Sequence, residues 1–319
     1  MVRHAQKLRY RIMPPQMLQS LASLRDIRRY AVIAVLLAAC HPIADAPVRS
    51  PPREATAHAG DSVEVLWVGH STVLVRLGDR WILTDPVFSE GIGGGLVRRY
   101  VRPGIDIDDL PPVDWVVISH AHADHLDVPS LERLGPGADL VVPPGLVNLL
   151  PRSLPVRDVH ALDKWKSIER DGVRVTAVPA RHANARWVVD GIWRRRAHAG
   201  FVVERGPHTL YFAGDTGYDA KLFREIGRRF DIDVALIPVG PADRAGWVHR
   251  LRRHVHVSPE EALRIFDDVG AQWMVPIHFG TFWKRDAGEQ AAVEGAIAAH
   301  PRSEWVRLLK VGESATFRW

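Results

Sequence analysis

Residues 116–127 read Val-Val-Ile-Ser-His-Ala-His-Ala-Asp-His-Leu-Asp, an apolar run that breaks off into a cluster of metal-ligand side chains. His120, His122, Asp124 and His125 offer three imidazoles and a carboxylate, and neutral ring nitrogen and anionic oxygen are the donors that a divalent metal such as zinc takes. One ion cannot comfortably use all four. In an extended segment or turn, alternate residues share a direction, so His120 and His122 can point one way while Asp124 and His125 diverge toward a second ion. The spacing therefore predicts a two-metal site at the carboxyl end of a buried strand.

Three further donors stand where other predicted strands run out. Alternating or apolar runs predict strands at 63–68, 72–77, 81–84, 115–119, 140–142, 173–178, 201–204, 209–212, 234–238 and 273–277, with closing strands at 305–309 and 315–319. His182 follows the run at 173–178, Asp215 the run at 209–212, and His278 the run at 273–277. Helices are expected at 129–134, 145–150, 288–299, and from Ser258 to about Val269, where Ser-Pro-Glu-Glu reads as a capping box with proline at the first helical position. The glycine run 91–95 marks a loop over the site. Strand and helix alternate twice along the chain, which gives an α/β class.

Charge is distributed unevenly. The formal net charge is +5 and the sequence pI about 9.6. The first 39 residues carry seven Lys or Arg and one acid, a net of +6 that leaves −1 for the rest. A near-neutral folded part argues against nucleic acid as a partner. The basic start leads into an apolar run, 30–39, of signal-peptide length, ending Leu37-Ala38-Ala39-Cys40. This looks like a bacterial lipobox, which would lipidate Cys40 and tether the chain to a membrane in the cell envelope, on the periplasmic side of the outer membrane in a Gram-negative cell. The expected organisation is a signal segment 1–39, a Pro- and Ala-rich tether 40–62, and one folded domain 63–319. Cys40 is the only cysteine, so no thiolate can join the metal site.

His-x-His-x-Asp-His after a buried strand is the signature of the metallo-β-lactamase fold, and this sequence resembles that superfamily. Further segments, Trp67-Val-Gly-His-Ser-Thr72, Leu83-Thr-Asp-Pro-Val-Phe-Ser89, Phe212-Ala-Gly-Asp-Thr-Gly-Tyr218, Val257-Ser-Pro-Glu-Glu-Ala262 and Ile277-His-Phe-Gly-Thr-Phe282, resemble the N-acylphosphatidylethanolamine-hydrolysing phospholipase D family. The resemblance implies a four-layer αββα sandwich and two Zn²⁺ ions: His120, His122 and His182 at one, Asp124, His125 and His278 at the other, Asp215 bridging. It implies a catalytic set of Asp124, Asp215 and His256, and hydrolysis of a phosphodiester that releases an N-acylethanolamine and leaves phosphatidic acid. The commonest zinc β-lactamases place a cysteine where this chain has Asp215, which favours phosphoester over antibiotic hydrolysis. Asp85 and Asp127 are candidates to hold the far nitrogen of a liganding histidine. His70 and His256 are candidates to contact substrate or relay a proton. Arginines 194–196 and 250–253, with Trp187, Trp193 and Trp247, could attract a lipid phosphate. The alternatives are a lactonase or esterase acting on a soluble phosphorylated metabolite, and a catalytically silent envelope lipoprotein.

Overall fold

The computed structural model describes residues 62–182, 197–240, 255–282 and 287–319. The signal segment, Cys40 and the tether as far as residue 61 lie outside the described residues, as do the Trp- and Arg-rich segments around 187–196 and 247–253; Ser62, expected to end the tether, opens the first strand. Fifteen strands are described: β1 (Ser62–Gly69), β2 (Thr72–Leu77), β3 (Arg80–Thr84), β4 (Gly91–Ile92), β5 (Val97–Arg98), β6 (Trp115–Val117), β7 (Asp139–Val142), β8 (Asp158–Ala161), β9 (Ser167–Arg170), β10 (Val173–Val178), β11 (Gly200–Arg205), β12 (His208–Phe212), β13 (Val234–Pro238), β14 (Trp273–Ile277) and β15 (Ser314–Arg318). The α-helices are α1 (Val128–Arg133), α2 (Ala220–Gly227), α3 (Pro259–Asp268) and α4 (Ala287–Ala298). None of the helices among the described residues is long and apolar enough to cross a membrane.

Two sheets carry the architecture, in the orders β15-β1-β2-β3-β6-β7-β8 and β14-β13-β12-β11-β10-β9. Each is antiparallel at one side and parallel at the other. The first turns parallel from β3 onward through β6, β7 and β8, the second from β12 through β13 to β14. Parallel neighbours need a crossover, and α1, α2 and α3 lie in the connections β6 to β7, β12 to β13 and β13 to β14.

The period-2 alternation read in the sequence sorts the side chains into layers. Val63, Val65 and Trp67 of β1, with Val73 and Val75 of β2, join Val175, Phe201 and Val203 of the other sheet in one buried core. Their neighbours Leu66, Val68 and Leu74 face the other way, against Leu131 and Leu134 at α1. Phe223 and Ile226 of α2 and Phe266 of α3 extend the first core. This is the αββα sandwich that the resemblance implies.

Some expectations shift. The strand expected at 115–119 ends at Val117, freeing Ser119 for the site, and the helix at 145–150 is a 3-10 helix over Pro144–Leu149. No strand forms at 305–309. Ser303–Trp305 is a 3-10 turn and only Val306 bridges, to Met274. Two of the apolar residues there do face inward, Val306 and Leu309, three positions apart, so the run reports burial and not a ladder. The glycine run is a β4–β5 hairpin turned through Gly93, Gly94 and Gly95, all at positive φ. Ile92 and Val97 of this hairpin pack with Phe282 and with Ala123 of the metal-ligand loop.

The edges are joined by a polar network. Asp139, 0 % exposed on β7, accepts hydrogen bonds from Arg157, from His160 Nε2 of β8 at 2.9 Å and from Arg170 Nη1 of β9 at 2.7 Å. β8 ends the first sheet and β9 the second, so one buried carboxylate ties the two together.

Candidate metal centre

Six strands deliver the polar cluster, each at its carboxyl end. β1 leads to His70, β3 to Asp85, β6 to Ser119 and His120, β10 to His182, β12 to Asp215 and β14 to His278. Beyond β6 the chain closes a turn, with His125 N–H and Leu126 N–H both donating to the His122 carbonyl at 3.0 and 2.8 Å. That turn places Asp124 and His125 in a second group of donors, while the His125 ring stays 4.1 Å from the His120 ring.

The donors fall into two groups. In the first, His122 Nδ1 lies 2.8 Å from His120 Nε2 and 3.3 Å from His182 Nε2, and Asp215 Oδ2 is 3.8 Å from His120 Nε2. In the second, Asp124 Oδ2 lies 3.7 Å from His125 Nε2 and 3.9 Å from His278 Nε2. Asp215 reaches this group too, at 3.4 Å from His125 Nε2 and 3.0 Å from His278 Nε2. All seven residues singled out in the sequence therefore come together, with Asp215 between the groups.

The cluster fits metal ions on its own geometry. Zinc–nitrogen bonds of about 2.0–2.1 Å in a tetrahedron set neighbouring donors ~3.4 Å apart, the range seen here. His125 Nε2, His278 Nε2 and Asp215 Oδ1 are buried without a hydrogen-bond partner, an arrangement costly to bury unless a cation meets them. The opposite nitrogens are held. His278 Nδ1 donates to Gly240 O at 2.6 Å, His182 Nδ1 to Val255 O at 2.8 Å and His125 Nδ1 to Asp85 Oδ2 at 2.6 Å. Because a carbonyl only accepts, Nδ1 must carry the proton, which leaves the Nε2 lone pair facing the cluster.

Asp85 does more than hold one ring. It also accepts from Ser119 N–H at 2.7 Å and Ser119 Oγ at 2.6 Å, and that hydroxyl lies 2.9 Å from His120 Nδ1. One buried carboxylate thus orients a histidine of each group. Asp127, the other candidate for this role, bonds none: it accepts from Ser89 Oγ and Ser130 Oγ and fastens the loop after β3 to α1. Gly214 explains its own presence, since at φ +59° a Cβ would lie 2.5 Å from Ser119 Cβ. His70, Asp85 and His278 are non-glycine residues in the left-handed region, at φ 55°, 33° and 64°. Such conformations cost of order 1–3 kcal/mol each and persist where packing dictates them.

Burial sets the charge states. It holds His120 well below the ordinary histidine value and lowers His182 and His70 to about 3, which keeps these rings neutral. Burial opposes a charge on His125 and His278 as well, but the Asp215 carboxylate beside both outweighs it and raises them. Asp215 is pushed up by burial yet held well below the carboxylate range by His125 and His278.

His256 sits at the rim. Its Nδ1 is 3.5 Å from Asp215 Oδ2, its side chain is 18 % exposed, and burial lowers it to about 4. The capping box just downstream fixes its approach: Ser258 Oγ accepts from Glu261 N–H at 3.2 Å while Glu261 Oε2 accepts from Ser258 N–H at 3.3 Å. The feature that sequence reasoning missed is the place of His70, whose Nε2 lies 3.0 Å from Asp124 Oδ2 inside the second group. The signal was there, a polar residue at the carboxyl end of an alternating strand, as for the other donors.

Residues 80–279 match the family model described as the β-lactamase superfamily domain. An uncharacterized protein of Mycobacterium tuberculosis is 35% identical over 290 residues, 86% of this chain and 70% of that protein. The Caenorhabditis elegans protein named N-acyl-phosphatidylethanolamine-hydrolyzing phospholipase D 1 is 32% identical over 242 residues, 70% of this chain and 66% of its own length. A metal-dependent hydrolase of the UPF0173 group from Pyrococcus horikoshii is 30% identical over 72% of this chain and 95% of that protein. Among solved structures, a possible metal-dependent hydrolase from Veillonella parvula shares the fold, with a TM-score of 0.64 at 19% identity, over 80% of this chain and 99% of that one. The chain belongs to the metallo-β-lactamase superfamily and is one of its metal-dependent hydrolases.

Proposed function

We propose that this hydrolase uses two zinc ions to cleave phosphodiesters, with N-acylphosphatidylethanolamine as substrate and N-acylethanolamine and phosphatidic acid as products. The observation that carries the reading is Asp215, whose carboxylate stands in both donor groups. An oxygen donor shared in this way keeps two cations close, and the single cysteine, Cys40, is far from it in sequence. The name of the nematode relative supports the lipid substrate.

When bound, the two ions would supply Lewis acidity and acidify the attacking water. The chain does the rest. His120, His122 and His182 would hold one ion, Asp124, His125 and His278 the other, with Asp215 placed to serve both. Asp85, through His125 and Ser119, fixes the ring orientations. His256, neutral and partly exposed at the rim, would orient the phosphate, accept the proton that the attacking water loses and pass it to the departing oxygen.

The test is a panel of N-acylated phosphatidylethanolamine in vesicles, bis-p-nitrophenyl phosphate and a phosphorylated lactone. Phosphatidic acid and N-acylethanolamine should appear in equal amounts from the lipid. In the same assay His256→Ala should lose about 10²–10⁴-fold in kcat with its metal content intact. Turnover of the lactone alone would assign the site to a soluble metabolite instead.

The Leu-Ala-Ala-Cys sequence ending at Cys40 supports anchoring in the cell envelope beside such a substrate. Cys40→Ala should release the protein from the membrane fraction and abolish incorporation of labelled palmitate. Equal membrane retention of the variant would end the lipoprotein reading.

A further inference from the structure

His70 is held with unusual thoroughness for a residue outside the His-x-His-x-Asp-His run. Its carbonyl accepts from Trp67 Nε1 and from His278 N–H, both at 2.9 Å, and its own N–H donates to Thr281 Oγ1 at 2.8 Å. Those bonds fix a left-handed backbone at φ 55°. The ring is packed as firmly, 4.0 Å from the His278 ring and edge-on to Phe282 at 5.1 Å. What all of this presents is one nitrogen, Nε2, at 3.0 Å from Asp124 Oδ2.

The donor count separates two roles for that nitrogen. Without it the second group already holds four donors, Asp124, His125, His278 and Asp215, the same number as His120, His122, His182 and Asp215 in the first. A fifth protein donor would take up the position that a catalytic ion keeps open. His70 Nε2 stands instead at hydrogen-bond distance from one of those donors, 3.0 Å from Asp124 Oδ2. Oδ2 is also the Asp124 oxygen nearest His125 Nε2 and His278 Nε2, so the bond falls on the oxygen turned toward the second ion.

We propose that His70 is a positioning residue for the second metal. Its Nε2–H holds the Asp124 carboxylate in the orientation that meets His125 and His278, and it makes no bond to the ion itself. The first metal, held by His120, His122 and His182, does not depend on it. The inference rests on the two-metal reading above.

Metal stoichiometry and affinity decide it, read by zinc titration of the chelator-stripped chain and by the absorption spectrum of the cobalt-loaded protein. Wild-type protein should take two ions. His70→Ala should keep one at wild-type affinity and bind the other about 10–100-fold more weakly, the usual effect of removing a hydrogen-bond partner of a ligand. His70→Gln, whose side-chain amide can donate to the same oxygen, should recover much of the loss and leave the cobalt spectrum unchanged. Equal binding of both ions by His70→Ala overturns the inference alone. A Gln variant no better than Ala, with an altered cobalt spectrum, overturns it in favour of a direct imidazole ligand. A wild-type chain that takes a single ion overturns the two-metal reading and this inference together.

Discussion

Asp215→Asn should empty the centre. Asparagine keeps the shape of the side chain but loses the anionic oxygens that both donor groups share. On the proposed two-metal phosphodiesterase reading, metal content should fall from about two ions per chain to below one, and hydrolysis by roughly three orders of magnitude. Lewis-acid stabilisation is worth several kcal/mol and each 1.4 kcal/mol is about tenfold in rate. The fold should survive, because the hydrophobic layers on either side of β12 are untouched, and far-UV circular dichroism checks that. Elemental analysis of the purified variant is the direct measurement. Two ions retained at wild-type affinity would remove Asp215 from its shared position.

The second large effect is on stability and lies far from the chemistry. Asp139→Ala should lower the melting temperature by about 6–12 °C. Removing one partner of a buried ion pair costs about 3–5 kcal/mol, and a domain of this size loses roughly 2–4 °C per kcal/mol. The lower end, about 3 kcal/mol, applies because Arg157 and Arg170 are about one-third exposed and water recovers part of their solvation. Pairing the change with Arg170→Ala in a double-mutant cycle isolates the contact that joins β7 to β9. Additive effects would show that the carboxylate does not couple the two sheets. Metal content of Asp139→Ala should stay at the wild-type level, in contrast to Asp215→Asn.

The donors were legible because each is chemically conspicuous and each ends a run of apolar residues, a pattern that survives without coordinates. The central strands were legible for the same reason, and β2, β10, β13 and β14 have the expected bounds. Elements held by polar contacts were not. β8, Asp-Val-His-Ala, and β9, Ser-Ile-Glu-Arg, are edge strands with little buried surface, so their pairing leaves almost no trace in hydropathy. α2 has only Phe223 and Ile226 buried in eight residues, too few to show a period. Asp127 and Asp85 look alike in sequence, each an acid next to a turn. Only the tertiary fold brings Asp85 against His125 and sends Asp127 to two serines. His70 stands at a strand end like the other donors, but its bond to Asp124 needed the same information, because that partner lies 54 positions away.

The delivery of every donor from the carboxyl end of a strand separates what must stay from what can change. The floor of the site is anchored in two hydrogen-bonded sheets, so a shift at one donor is resisted by a whole ladder. The β4–β5 hairpin, by contrast, pairs with neither sheet and rests on the metal-ligand loop through Ile92 and Val97. Exchanging it for the corresponding hairpin of a relative should leave the donors in register. A scaffold of this kind can be retargeted by grafting, one connection at a time, with metal content as the control that the graft has not reached the floor.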